Sequence, residues 1–279
     1  MIRWKLLMVC FSWLLCCSLA MADPASDAVA RKRASEAQRI LKSVHRLAPE
    51  KREEALTRLK ELKEEGAPVV EMAVEMAAGT NATTQLIGLE LIREFLPKRV
   101  DSVERLMKRP GPDLTPAKVF GEWSKAAEEL TKDDQEAEVL FPLVGANLTY
   151  AWVVASDQRI LNRESNGSWQ GAVAKLRGFA IKIANRHPPA AATILKLATA
   201  EVSHLPGTFP PGLDERFRLR NDTIQSLAAF REFDPPLQRQ AIAALQLMLR
   251  NTDDCERTQQ TPASVAALTL SLFSRPAGK

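Results

Sequence analysis

Residues able to do chemistry are few in this chain, and their spacing decides what each would do. Glu201-Val202-Ser203-His204 places a carboxylate and an imidazole three apart, the spacing of one half of a carboxylate-bridged di-metal site on a helix face. Such a site needs a second copy. His45 has Lys42 three places before it and His187 has Ala184, so the partner is missing, and His204 is read as a polar residue at a helix end. Cys255 lies between Asp254 and Glu256. Neighbouring carboxylates disfavour a thiolate, so this residue is read as an incidental thiol, not a nucleophile. No Gly-x-Ser-x-Gly elbow and no phosphate-cradling glycine loop occurs; the 12 glycines are scattered at breaks. The expectation is therefore no catalytic set, no metal and no cofactor.

The elements that would position any site are helical. From Pro49 to Lys108 apolar residues recur at i, i+3, i+4 and i+7, with a break about every fifteen residues. Ala55, Leu56, Leu59 and Leu62 make one stripe; Val69, Val70, Ala73, Val74 and Ala77 a second; Leu86, Ile87, Leu89, Ile92 and Phe95 a third; Val100, Val103, Leu106 and Met107 a fourth. Helices this short are marginal in water unless they pack on a neighbour, so they must stack. Ser26 to Leu47 reads as a leading helix, with the basic triplet Arg31-Lys32-Arg33 on a solvated face. Arg109-Pro110-Gly111-Pro112-Asp113 interrupts the helices, and Thr115-Pro116 restarts them as an N-cap with proline at the first helical position. Asn166-Gly167-Ser168 reads as a turn before a helix from Trp169 to Arg186. The proline- and glycine-rich stretch Leu205 to Asp214 is a second candidate hinge, and Phe217 to Phe233 is helical again. Arg216, Arg218 and Arg220 alternate, so on a helix they spread over different faces, as ordinary exposed charge does.

Residues 139–155 form the most apolar segment outside the N-terminus. A central helix enclosed by the others is the first reading, since a helix apolar all round belongs in a core. A strand pair built on Leu148–Val154 and Ile160–Asn162 is the second, and a membrane-associated segment the third.

Composition sets the class. Arg3 and Lys5, an apolar run from Leu6 to Leu15 and the small-residue pattern Ala20-Met21-Ala22 read as a cleaved secretory signal over 1–22, with a mature chain from Asp23 that is secreted or periplasmic. The net charge of +4 halves when Arg3 and Lys5 leave, too little overall to point to nucleic acid or an anionic membrane, and membrane insertion of the mature chain is not expected. Cys10, Cys16 and Cys17 leave with the signal, so the mature chain holds no intramolecular disulfide. With hydrophobic residues at 46% and charged residues at 26%, the rest is ordinary globular composition. It divides into an N-terminal helical segment 23–108 and a C-terminal one 114–279, or runs as one continuous domain 23–279. Asn81, Asn147, Asn166 and Asn221 head glycosylation sequons, which carry meaning only in a eukaryotic secretory route.

Two resemblances add to this. Asp234-Pro235-Pro236-Leu237-Gln238-Arg239-Gln240-Ala241-Ile242-Ala243-Ala244-Leu245 resembles the second half of a HEAT or armadillo-type repeat, with Arg239, Ala241, Ala244 and Leu245 where that pattern wants them. Ala55 to Val74 is similar to a weaker copy, and 109–215 departs from the pattern. The resemblance implies an all-α, HEAT/armadillo-like α-solenoid, with an irregular multi-helix bundle as the alternative; its function would be that of an exported, non-enzymatic scaffold binding another protein or an extended ligand. Separately, Arg163-Glu164-Ser165 followed by Trp169 and Gly171-Ala172 partly resembles the Glu-Ser motif of lytic transglycosylases, exported helical enzymes that cleave cell-wall glycan. That resemblance would make Glu164 a general acid and base whose pKa is raised by partial burial. The downstream Gly-Leu-Met-Gln-like stretch of that family is missing here.

Overall fold

A computed structural model describes residues 24–132, 137–157, 159–202, 214–251 and 260–274. The signal segment 1–22, the candidate ligand His204, Cys255 and most of the hinge before Asp214 lie outside the described residues. Among the described residues the protein is all-α, with 12 helices and no strands. Over 139–155 the first reading, a helix, is formed at Phe141–Val154, and the alternative strand pair at Leu148–Val154 is not.

The chain divides into two compact units, one ending at Ala73 and one beginning at Val74. In the first, α1 (Pro24–Ser43) and α2 (Pro49–Glu64) pack through Ala37, Leu41, Leu59 and Leu62, each at most 1% exposed. Two ion pairs tie the helices together. Arg58 forks Glu36, at 2.9 and 3.2 Å, and Arg33 meets Glu65 at 2.9 Å. Hydrogen bonding to Arg58 holds the Glu36 carboxyl below its usual range.

The turn from α2 into α3 (Val69–Ala78) depends on one residue. Gly66 takes φ +90°, its N–H donates to Lys63 O at 3.0 Å, and Ala67 N–H donates to Leu62 O at 2.8 Å. This pair of bonds satisfies carbonyls that the helix end would otherwise leave open, in the manner of a Schellman cap. A Cβ at Gly66 would meet nothing within 4 Å, so any penalty is conformational. Gly66→Ala is expected to lower the unfolding free energy by about 1 kcal/mol, read as a shifted urea midpoint at unchanged slope.

The second unit holds α4 (Ala82–Phe95), α5 (Val100–Met107), α6 (Pro116–Lys132), α7 (Phe141–Val154), α8 (Arg163–Ile183), α9 (Pro188–Ala198), α10 (Glu215–Ser226), α11 (Pro235–Met248) and α12 (Pro262–Phe273). The most extensive packing is α6 on α8, and α5, α7 and α9 adjoin this pair. Its core carries the large side chains Phe120, Trp123, Trp169 and Phe179, all 2% exposed or less. The interruption at 109–113 joins α5 to α6, which pack directly on each other. In α11 the repeat-like residues Ala241, Ala244 and Leu245 are buried and Arg239 is exposed.

Two corrections concern boundaries. Asn166-Gly167-Ser168 is not a turn but lies inside α8. Asn162 accepts hydrogen bonds from the N–H groups of Glu164 and Ser165, both at 3.0 Å, while Ser165 Oγ accepts from Asn162 N–H at 3.0 Å. That reciprocal capping box starts the helix ahead of the glycine. The segment from Phe217 also begins earlier, because Asp214 caps Arg216 N–H at 2.9 Å, and it ends in a 3-10 helix over Leu227–Glu232.

Candidate functional site

α7 contains no charged residue, yet it is not enclosed as expected. Phe141, Leu143, Val144, Asn147, Leu148, Ala151 and Val154 are buried. Pro142, Gly145, Ala146, Thr149, Tyr150, Trp152 and Val153 make up the other half of the helix, spaced at three and four, and all are partly or fully exposed. Val153 is 60% exposed. Neighbouring helices cover one side only, so an apolar sequence here leaves an apolar strip on the surface.

That strip is held rigidly. Trp123 from α6 is fully buried, its Nε1–H donates to Lys108 O at 3.1 Å, and its ring meets Phe120 and Tyr150 edge-on at centroid distances of 5.4 and 5.9 Å. Arg109 lies over both rings, 5.3 Å from the Trp123 centroid and 5.2 Å from Tyr150, and donates to Leu106 O and Lys108 O at 2.8 Å. Burial lowers the Arg109 guanidinium pKa and raises that of the Tyr150 phenol, the guanidinium partly opposing the second shift. Behind the turn, Asn147 Nδ2 donates to Leu106 O at 2.9 Å, so α7 is pinned to the end of α5 by a buried amide. Lys108 and Lys125 flank Glu122 and hold its carboxyl down at about 2.

A second polar cluster surrounds the start of α10. Asp214, Glu215, Arg216, Arg220 and Asn221 are each at most 5% exposed. Asp214 accepts from Arg216 Nε with both oxygens at 3.0 Å. Glu215 accepts from Asn166 Nδ2 at 3.0 Å, and its N–H donates to Ala155 O at 3.1 Å. Arg220 lies 5.3 Å from the Phe217 ring centroid and donates to Ala200 O at 3.3 Å; Asn221 Nδ2 donates to Gln260 O at 2.8 Å. The expectation of exposed charge at Arg216 and Arg220 is thus overturned. Arg216 is met by Asp214 just before it in sequence, whereas Arg220 reaches the Ala200 carbonyl, 20 residues away. Arg218 alone of the three stays partly exposed. Buried charges joined in this way act as a structural knot.

The remaining candidates fall elsewhere. Glu164 is exposed in the first turn of α8. Its neighbour Ser165 is buried in the capping box and donates to Ile160 O at 2.8 Å. His187 is half-buried against Phe141, at a ring centroid distance of 5.0 Å, and burial lowers its pKa. Arg46 Nε donates to His45 Nε2 at 3.2 Å. Among the described residues no three of His, Cys, Asp and Glu converge as a metal set, and no helix is long and apolar enough to cross a membrane. Of the sequon asparagines only Asn81 is exposed; it caps α4, accepting from Thr84 N–H at 3.1 Å.

The exposed half of α7 was legible in the sequence only as hydrophobicity. The start of α12 was missed: Thr261-Pro262 repeats the Thr115-Pro116 pattern, and Thr261 Oγ1 accepts from Ser264 N–H at 3.2 Å to cap that helix. Comparison with protein-family models, curated proteins and solved structures returns no match.

Proposed function

We propose that the chain is an exported, non-enzymatic helical scaffold that binds another protein through the outer half of α7. The observation carrying this reading is an uncharged helical strip on the surface, with Gly145 and Ala146 at its centre and Tyr150, Trp152 and Val153 toward one end, beside Arg109. Tyrosine, tryptophan and arginine are the side chains on which interface energy concentrates, and charge is depleted where interfaces are driest. Small residues let a partner backbone come close. A strip without charge offers a charged surface no ion pair, so the partner is a protein presenting aliphatic or small side chains, most simply along a helix.

A photo-crosslinking amino acid in place of Val153, used in the exporting cell, is expected to trap one discrete protein adduct, whereas the same probe at exposed Lys118 traps none. With that partner purified, Val153→Asp is expected to weaken binding by roughly thirtyfold, about 2 kcal/mol, at unchanged thermal stability. Absence of an adduct, or full affinity in Val153→Asp, overturns the reading. So does release of cell-wall glycan fragments by the purified protein that stops in Glu164→Gln.

A further inference from the structure

The N-terminal unit carries a charge pattern that the α7 reading leaves unused. On α1 the core side is marked by Ala37 and Leu41. Away from it Ala28, Arg31, Lys32, Ser35, Arg39 and Lys42 follow one another at helical spacing, and all six are exposed. The four cations span roughly 16 Å of helix at 1.5 Å per residue. The two acids of α1 offset this face only in part: Glu36, whose first partner is Arg58, also interacts with Lys32 and Arg39, and Asp27 lies four residues before Arg31 at the edge of the stripe. Arg33, next in sequence, points elsewhere and pairs with Glu65. Among the described residues Arg31, Lys32, Arg39 and Lys42 make no ion pair, and Val29, 47% exposed, borders the stripe one turn from Lys32.

We propose that this face of α1 docks on the surface of an anionic phospholipid bilayer. A single phosphate reaches one or two of four cations spread along a straight line, whereas a plane of phosphates meets all of them together. The segment preceding α1 carries the apolar run Leu6 to Leu15, so export delivers α1 to the bilayer surface directly behind a membrane-inserted stretch. The choice of a bilayer over another polyanion therefore rests on the proposed export. Each cation near such a surface strengthens binding by about fivefold, the equivalent of about 1 kcal/mol, and added salt screens the attraction.

The test is sedimentation of protein purified from the exporting cell with vesicles of phosphatidylcholine alone or mixed with phosphatidylglycerol. The protein is expected to pellet with the mixed vesicles only and to be released by salt. Replacing Arg31, Lys32, Arg39 and Lys42 together by glutamine is expected to abolish pelleting. Replacing Lys98, Lys118, Lys196 and Arg250, four exposed cations elsewhere, is expected to leave it intact. Circular dichroism checks that both variants are folded. Equal pelleting of the two variants, no pelleting with the mixed vesicles, or tighter binding to single-stranded DNA or polyglutamate than to vesicles overturns the proposal. N-terminal sequencing of the purified protein reports export separately: an intact Met1 removes the export reading while the vesicle assay still decides the docking.

Discussion

Asp214→Ala is expected to destabilise the second unit by about 3–5 kcal/mol. The carboxylate is wholly buried, accepts two hydrogen bonds from Arg216 Nε at 3.0 Å and caps α10 through Arg216 N–H. Its removal takes the Asp214 carboxylate away from a buried guanidinium and strips the helix of its cap. The loss exceeds what the pair contributes over an apolar replacement, because breaking one half of a buried ion pair costs more than replacing both. Chemical denaturation read by tryptophan fluorescence checks it. A paired Asp214→Asn, Arg216→Met variant is expected to recover part of the loss. An alanine variant within 1 kcal/mol of the parent would show that the pair is solvated.

Trp123→Ala is expected to lower stability by a similar amount, about 3–5 kcal/mol. The indole is fully buried, and removing it opens a cavity bounded by Phe120 and Tyr150, takes away the ring under Arg109 and leaves Lys108 O with the Arg109 guanidinium as its remaining donor. The consequence extends to the α7 strip, because Tyr150 and Arg109 lose the surface that holds them. Trp123→Phe is expected to keep most of the packing and to lose only the hydrogen bond, about 1 kcal/mol. Thermal unfolding of the two variants separates these contributions. If binding to the α7 partner is measured alongside, Trp123→Ala weakens it and Trp123→Phe does not.

Much of the helical layout was readable beforehand because its causes are local. The stripes of α2 to α5 and the Thr115-Pro116 start of α6 depend on residues within one or two turns. The start of α8 was misread because two local signals compete: Asn166-Gly167-Ser168 has turn composition, but the capping box between Asn162 and Ser165 has already committed the backbone to a helix, in which Gly167 costs only about 1 kcal/mol. Burial of Arg216 and Arg220 was not readable at all. Reading Arg216, Arg218 and Arg220 as one alternating set hid the fact that Arg216 and Arg220, four apart, share a face, and what buries them arrives from Ala200 and from the start of α10 itself. For α7, composition reports affinity for a core and is silent on how many neighbours there are to supply one. The strip proposed as an interface exists because helices run out on that side.

Glu215 also bears on the order in which the molecule is completed. The Ala155 carbonyl at the end of α7 and the Asn166 amide in α8 are both satisfied by this one residue, 49 positions beyond Asn166. A chain emerging from the ribosome N-terminus first has both of these helices in hand while the group that closes them is still unmade. Until α10 arrives, water must occupy that junction, so chains halted near residue 200 should be far more open to protease between α7 and α8 than chains halted after 226.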